Sequence, residues 1–408
     1  MKARRSYCLL PLTGSLVLFV CVCLAASLLV IRFSPAVGAY GADFLRNIFG
    51  DRIVAALETT LFKLQDGVRN LEYTLGVAPA ASPWSVPTTI APPVPKPTIK
   101  PKVLVKKPTS TPAPTQPDTG VIVLPTSTPE PAWMPPPATP LGVLFGVAVW
   151  EPYIQDAQGR MLAYRTFVQP DADRPYAMTG IVAFDLEHTR LHFVLGFADP
   201  YAVGIAKKGT GKIADQDQEV GRLLAAFNGG FKYEHGAFGA MADGYTSAPP
   251  RNGLGTLAIY KDGHIRMGVW GADITASPEM VAFRQNGPLM IQNGVLDKAV
   301  NDPSQWGYTV SGGTVTWRSG VAISQDEKTL YYLACQYCDI SSLSKAMQTV
   351  NPQTAMQLDI NNFWVHFTVF KDDNGTLAPQ ALFPKEMSSN LERFLNPYPR
   401  DFFYVTTP

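Results

Sequence analysis

The chain has 408 residues, a formal net charge of +1, 36 prolines and five cysteines. A charge balance so near zero leaves no basic footprint for nucleic acid. About half of the prolines crowd into residues 79–140, which leaves one folded unit, roughly 141–408, large enough to bury a core without help from disulfides or metals.

Residues 1–6 carry Lys2, Arg4 and Arg5 ahead of an uncharged, mostly apolar run at 7–31 that closes on Arg32. The run is long enough to span a bilayer as one helix. The charge bias predicts a single pass in the cell membrane, with the N-terminus cytoplasmic and the C-terminal domain extracytoplasmic. A cleaved signal peptide is the rival, with small residues at Val37-Gly38-Ala39, but the run exceeds a usual signal core. Cys8, Cys21 and Cys23 fall in or beside it, leaving Cys335 and Cys338 outside. That spacing suits a redox or metal half-site, but no second pair completes four zinc ligands, so a local disulfide or two inert thiols is expected.

Across 40–77 apolar residues recur at steps of mostly three and four, which predicts helix, with Gly50-Asp51 able to break it and Asp51 able to cap the second part. The steps within 51–77 resemble a short coiled-coil seam, so self-association stands beside an amphipathic helix lying on a bilayer. Residues 78–140 turn to Pro, Thr, Ser and Lys, a composition that cannot bury a core and predicts a disordered, extended linker.

Strand-like runs follow at 141–150, 161–168, 179–186, 190–197, 255–260, 264–270, 281–284, 289–292, 314–323 and 329–334, with Lys261-Asp262-Gly263 marking a hairpin. A helix capped at Ser341 or Ser342 should reach about Val350 before Asn351-Pro352, and Ser389-Asn-Leu-Glu392 has capping-box spacing for another. Strands with a few interrupting helices and no βαβ alternation predict an α+β domain at 141–408, preceded by a transmembrane helix, an amphipathic helical segment and the Pro-rich linker.

Five segments set polar groups within or at the end of apolar runs. Residues 354–367 read as a core strand delivering Asp359, Asn361 and Asn362, then Trp364 and His366. Those groups either cap a turn or face a site. Asn228-Gly229-Gly230-Phe231 allows a tight turn or close backbone approach to a ligand, and Glu234 and His235 follow it. Asp243-Gly244 and Asn286-Gly287 read as turns, the latter with Arg284 beside it. Arg318 lies within an apolar strand, where a buried guanidinium calls for an anion or a structural ion pair, with Asp359 as the candidate partner.

The order Asn228-Gly-Gly-Phe231, Asn286-Gly-Pro-Leu289, Arg318-Ser319 and, after a helix, Ala355-Met-Gln-Leu-Asp359 resembles the phosphodiester glycosidase family over about 180–370. The resemblance implies a hydrolase acting on a sugar–phosphate glycosidic linkage in a cell-envelope or extracellular glycan. It departs where the family carries glycines and a serine after the Asp and this chain has Ile360-Asn361-Asn362-Phe363-Trp364. By the resemblance Asp359 is the carboxylate at the anomeric carbon, Arg318 the phosphate clamp and Asn228 a donor. Gly229, Gly230, Asn286 and Asn361 would line the substrate, with Glu234, His235, Asp243 and His366 as lesser proton-transfer partners. No cofactor or metal is implied; calcium stays open, since Asp and Asn oxygens suit it but no ligand spacing defines a site. The rival reading is a catalytically silent glycan-binding module on a stalk, with Trp317, Phe363 and Trp364 stacking on sugar.

Overall fold

The computed structural model describes residues 48, 50–84, 133–302, 306, 315–360, 363–387 and 389–408. Residues Met1–Trp84 and Trp133–Pro408 form one compact unit, and Ser85–Ala132 form another that lies outside the described residues. Eighteen strands stand against two α-helices among the described residues. In chain order they are β1 (Glu151–Gln155), β2 (Met161–Val168), β3 (Met178–Asp185), β4 (Arg190–Val194), β5 (Leu223–Asn228) and β6 (Ala240–Ala242). Then come β7 (Tyr245–Ala248), β8 (Gly255–Tyr260), β9 (Ile265–Val269), β10 (Met280–Gln285), β11 (Ile291–Gln292) and β12 (Val295–Leu296). The last six are β13 (Thr316–Ile323), β14 (Thr329–Cys338), β15 (Thr354–Ile360), β16 (Phe367–Asp373), β17 (Thr376–Ala381) and β18 (Phe402–Thr406). The helices are α1 (Asp51–Thr74) and α2 (Ile340–Gln348).

The strands form three antiparallel sheets, in the orders β1-β2-β3-β14-β13-β15-β11-β12, β17-β16-β5-β18-β4 and β7-β6-β10-β8-β9. The expectation of an α+β domain behind a transmembrane helix is therefore corrected to a mostly-β architecture. Among the described residues no helix is long and apolar enough to cross a membrane. The apolar run at 7–31 lies outside those residues, so the single-pass membrane placement built on it has no helix in the structure to carry it.

Alternation along the central strands gives the eight-stranded sheet two apolar faces. One, with Val182, Val321, Tyr332 and Met356, shares a core with Phe227, Phe367 and Phe403 of one further sheet and Leu257 and Ile259 of the other. The opposite face, with Ile181, Ala322, Tyr331 and Ala355, is covered by Leu343, Ala346 and Met347 of α2. Asp339, rather than a serine, caps α2 by accepting a hydrogen bond from Ser342 N at 2.8 Å. Residues 391–395 are turns, so the expected C-terminal helix does not form. Residues 141–150 are likewise irregular, and β1 starts one residue later. Cys335 and Cys338 are joined as a local disulfide.

The segment before the linker belongs to the same unit as the sheets. The Asp66 carboxylate accepts from Arg174 Nε at 3.0 Å and from the Tyr176 hydroxyl at 2.8 Å, while Tyr73 and Arg69 lie over the Tyr176 ring. Ten residues after α1, Trp84 is buried edge-on against Phe167 beneath the Arg165 guanidinium. Asp66→Ala removes the acceptor shared by Arg174 and Tyr176 and should loosen α1 by roughly 1–2 kcal/mol. Hydrogen exchange should then quicken across 51–74 and stay unchanged in the sheets; unchanged protection of α1 would mean that other contacts hold it.

Candidate functional site

Asn228, the last residue of β5, is fixed on every side. Its Nδ2 donates to Ser319 Oγ and to Gly229 O, each at 2.9 Å, and its Oδ1 accepts from the Tyr332 hydroxyl at 2.9 Å and from His366 N at 3.2 Å. That uses the full bonding capacity of the amide. Ser319 passes the connection on, its hydroxyl donating to Asp359 O and accepting from Asp359 N, both at 3.2 Å.

Asp359 owes its direction to a break in register. Arg318 pairs with Ile360 while Gly320 pairs with Gln357, so Leu358 and Asp359 together face the single residue Ser319. Such a bulge bends the strand and re-aims a side chain. The Asp359 carboxylate accepts from Arg400 Nη2 at 2.8 Å and from Ile360 N at 2.8 Å. Burial pushes its pKa up to about 6, against the pull of Arg400 in the other direction.

Arg400 and Asp401, immediately before β18, tie three segments together. Arg400 Nη2 also donates to Gly230 O at 2.8 Å, the guanidinium stacks on Trp364 at 4.6 Å, and its buried Nε has no acceptor among the described residues. Asp401 Oδ2 accepts from Arg284 Nε at 2.8 Å and from Gly230 N at 3.1 Å, with both charged side chains fully buried. Arg284 donates further to Gln285 O and to Phe231 O. This packing explains the paired glycines, because a Cβ at Gly229 would lie 2.0 Å from Asp401 Oδ2. Asn286 locks the same turn to β15: its Oδ1 accepts from Phe231 N at 3.1 Å and its Nδ2 donates to Gln357 O and Leu358 O.

Asp199 is the third acid of the group. Its Oδ1 accepts from Tyr233 N at 3.0 Å, and burial raises its pKa while Arg400 opposes the shift. Three carboxylates thus share two guanidiniums.

The structure brings Asn228, Gly229, Gly230, Asn286 and Asp359 into this one cluster. It turns Arg318 to the other face of the eight-stranded sheet, where Nε donates to Cys338 O at 3.2 Å and Nη1 to Trp306 O and Gln357 Oε1, each at 3.1 Å. Burial lowers the Arg318 pKa to about 10, which still leaves it charged at neutrality. His366 is buried, its Nε2 2.9 Å from Thr368 Oγ1, and desolvation holds its pKa well below the ordinary value, so the ring is neutral. Glu234 is exposed, 3.6 Å from Lys232 and 3.7 Å from His235. Asp243 occupies the exposed β6–β7 turn at φ 50°. Asn361 lies outside the described residues.

Arg400, Asp401 and Asp199 are the members that the sequence reading missed. A signal for the first two was present, since the charged pair Arg400-Asp401 stands directly before the apolar run Phe402–Thr406. Asp185, Glu187 and His188 form a grouping of metal-ligand type away from the cluster, with Asp185 Oδ2 2.6 Å from His188 Nδ1 and Glu187 paired with Lys328. A cavity of about 470 Å³ lined by Arg160, His188 and Arg222 adjoins the start of β5, at the opposite strand end from Asn228.

No protein-family model and no curated protein matches the chain. Among solved structures it is similar to the catalytic domain of zebrafish N-acetylglucosamine-1-phosphodiester alpha-N-acetylglucosaminidase, auto-inhibited by its pro-peptide, with TM-score 0.36 and 15% identity over 62% of this chain and 90% of that one. It is also similar to a hypothetical protein from Synechocystis, with TM-score 0.33 and 10% identity over 60% and 62% of the two chains. Both likenesses are weak.

Removing one partner of the buried Arg284–Asp401 pair leaves the other charge uncompensated. Arg284→Met should therefore cost about 3–5 kcal/mol of unfolding free energy in urea titration. A loss under about 1 kcal/mol would show that Gly230 N and the surrounding dipoles suffice for Asp401.

Proposed function

We propose that the Asp359 cluster is the active site of a hydrolase of the phosphodiester glycosidase type, cleaving a sugar–phosphate glycosidic linkage in a glycan. The observation that supports this most is convergence: Asn228-Gly-Gly-Phe231, Asn286, Ser319 and Asp359, drawn from four separated segments, meet through direct hydrogen bonds. Those are the segments whose order in the sequence resembles the family.

In this reading Asp359 supplies negative charge at the anomeric carbon, where the transition state takes on oxocarbenium character. A phosphate leaving group is already a weak base, so it needs a cation more than a strong acid. Arg400 is the candidate for that task, next to Asp359 and with one buried donor that has no acceptor among the described residues. Asp199, held by Tyr233 N, is the candidate to take a proton from the attacking water.

A carboxylate with a pKa of about 6 is largely protonated below that pH and ionised above it. Turnover of a sugar-1-phosphodiester should therefore rise as pH increases through about 6, well above the range of an ordinary aspartate. Asp359→Asn should lower kcat by about 10³-fold or more and abolish that limb. Arg400→Lys, which keeps the charge but loses the planar fork, should lower kcat/KM by roughly 10–100-fold. A glycan-binding role is the second reading, favoured by the Trp364 ring stacked on Arg400 and by the engagement of the Asp359 carboxylate within the protein. Glycan binding that survives Asp359→Asn, in a wild-type protein that turns over no sugar phosphodiester, would establish that reading and remove the hydrolase.

A further inference from the structure

Helix α1 contacts the sheets through one side and presents a different side to solvent. Thr59, Asp66 and Tyr73 recur at intervals of seven; Thr59 is buried, Asp66 holds Arg174 and Tyr176, and Tyr73 packs on Tyr176. A second set, Leu57, Leu61, Leu64, Val68, Leu71 and Leu75, is spaced 4, 3, 4, 3, 4, and all but the half-buried Leu61 are exposed. Leu57, Leu64, Leu71 and Leu75 are each more than half exposed and Val68 is 49% exposed, while Val54, one step earlier, is already buried. An amphipathic helix normally turns its apolar stripe toward the domain that carries it. Here a polar face docks and the apolar one is left outward.

We propose that this stripe is the seam of a parallel two-stranded coiled coil with a second copy of the chain. Three features select that occupant. The 3.5-residue period gives a narrow line of alternating a and d positions, whereas a helix lying on a lipid surface needs a broader apolar arc. The d positions 57, 64 and 71 are all Leu, and of the a positions Leu61, Val68 and Leu75 the central one is β-branched, where Val at a with Leu at d favours two parallel strands. The flanks lack the lysines and arginines that draw a helix to anionic lipid: Glu58, Gln65 and Glu72 lie on one side, Thr60, Gly67 and Thr74 on the other. In a parallel pair Thr60 meets Gln65 and Gly67 meets Glu72 of the other copy, so no like charges oppose one another and small side chains let the backbones close in. Glu72 is also paired with Arg69 of its own helix at 3.5 Å.

From Leu57 to Leu75 the seam runs about 27 Å. It would bury on the order of 500 Å² a side, at the low end of specific interfaces, so the dimer is expected to be weak and concentration-dependent. Because Asp66, Arg69 and Tyr73 lie off the seam, pairing leaves the docked face in place.

The test uses the full chain with Cys8, Cys21 and Cys23 changed to Ser, so that one engineered thiol reports on geometry. Val68→Cys, on the seam, should cross-link between copies under mild oxidant at least ~10-fold faster than Lys63→Cys, which lies off it. Sedimentation equilibrium should give a monomer–dimer equilibrium that Leu64→Glu with Leu71→Glu shifts fully to monomer, with the circular dichroism spectrum unchanged. Equal cross-linking at the two thiols, or a monomer at every concentration with both sequences, would overturn the proposal. Binding to phosphatidylcholine–phosphatidylglycerol vesicles that the double variant loses, in a chain that stays monomeric, would overturn it in favour of lipid.

Discussion

The site depends on what two consecutive residues do in opposite directions. Arg400 reaches Asp359 at the end of β15, and Asp401 reaches Arg284 at the end of β10, while both bond Gly230 between them. One dipeptide therefore fixes the ends of strands from all three sheets, since β18 itself pairs with β5. Each charge is buried, and each would be costly alone. The consequence is mutual: the turn Asn228–Phe231 can lie close only because its residues at 229 and 230 lack side chains, and the ions are satisfied only because that turn offers them a backbone N–H and a carbonyl.

The bulge in β15 complements this clamp. In an unbroken strand Asp359 would follow Ala355 and Gln357 onto the face covered by α2, because side chains alternate with period two. Gln357 does point there, meeting Arg318 and the Trp306 carbonyl. The extra residue opposite Ser319 resets the phase and delivers Asp359 to Arg400. Arg318 and Ser319, adjacent in β13, thereby serve different faces. Arg318 braces the α2 side with three carbonyl-type acceptors, and Ser319 joins Asn228 to the Asp359 backbone.

Period-two alternation and turn chemistry made much of the fold legible. The runs at 161–168 and 255–260 form β2 and β8 at those bounds, and Lys261-Asp262-Gly263 turns β8 into β9 with Gly263 at φ 87°. Asp359, Asn228 and Asn286 were legible as polar groups ending apolar runs. Arg318 shared that signature and went elsewhere, because a strand pattern specifies alternation but not which face a bulge will turn to the site. The docking of α1 was illegible for a related reason. Its apolar stripe suggested one partner, yet the contact to the sheets runs through Asp66, Arg69 and Tyr73, a polar face whose partners Arg174 and Tyr176 lie a hundred residues away. The mostly-β balance was obscured by capping signals at 389–392, which lead into turns at 391–395, where the Arg393 side chain donates to Ser389 O and Phe363 O.

The imbalance of charge in the cluster bears on its chemistry. Asp401 is held by Arg284 and by Gly230 N, which satisfies it within the protein. Arg400 is then the cation nearest both remaining acids, and it is committed by hydrogen bond to Asp359 while opposing the upward shift of Asp199. One cation cannot fully offset two desolvated carboxylates, and that shortfall is why burial dominates at both. A phosphate added here would worsen the deficit of positive charge unless an acid takes up a proton on binding. With its pKa already raised to about 6, Asp359 is the group best able to do so, at the expense of the ionised form that the proposed reaction needs, so anion binding and the acid limb of turnover would be coupled at one carboxylate.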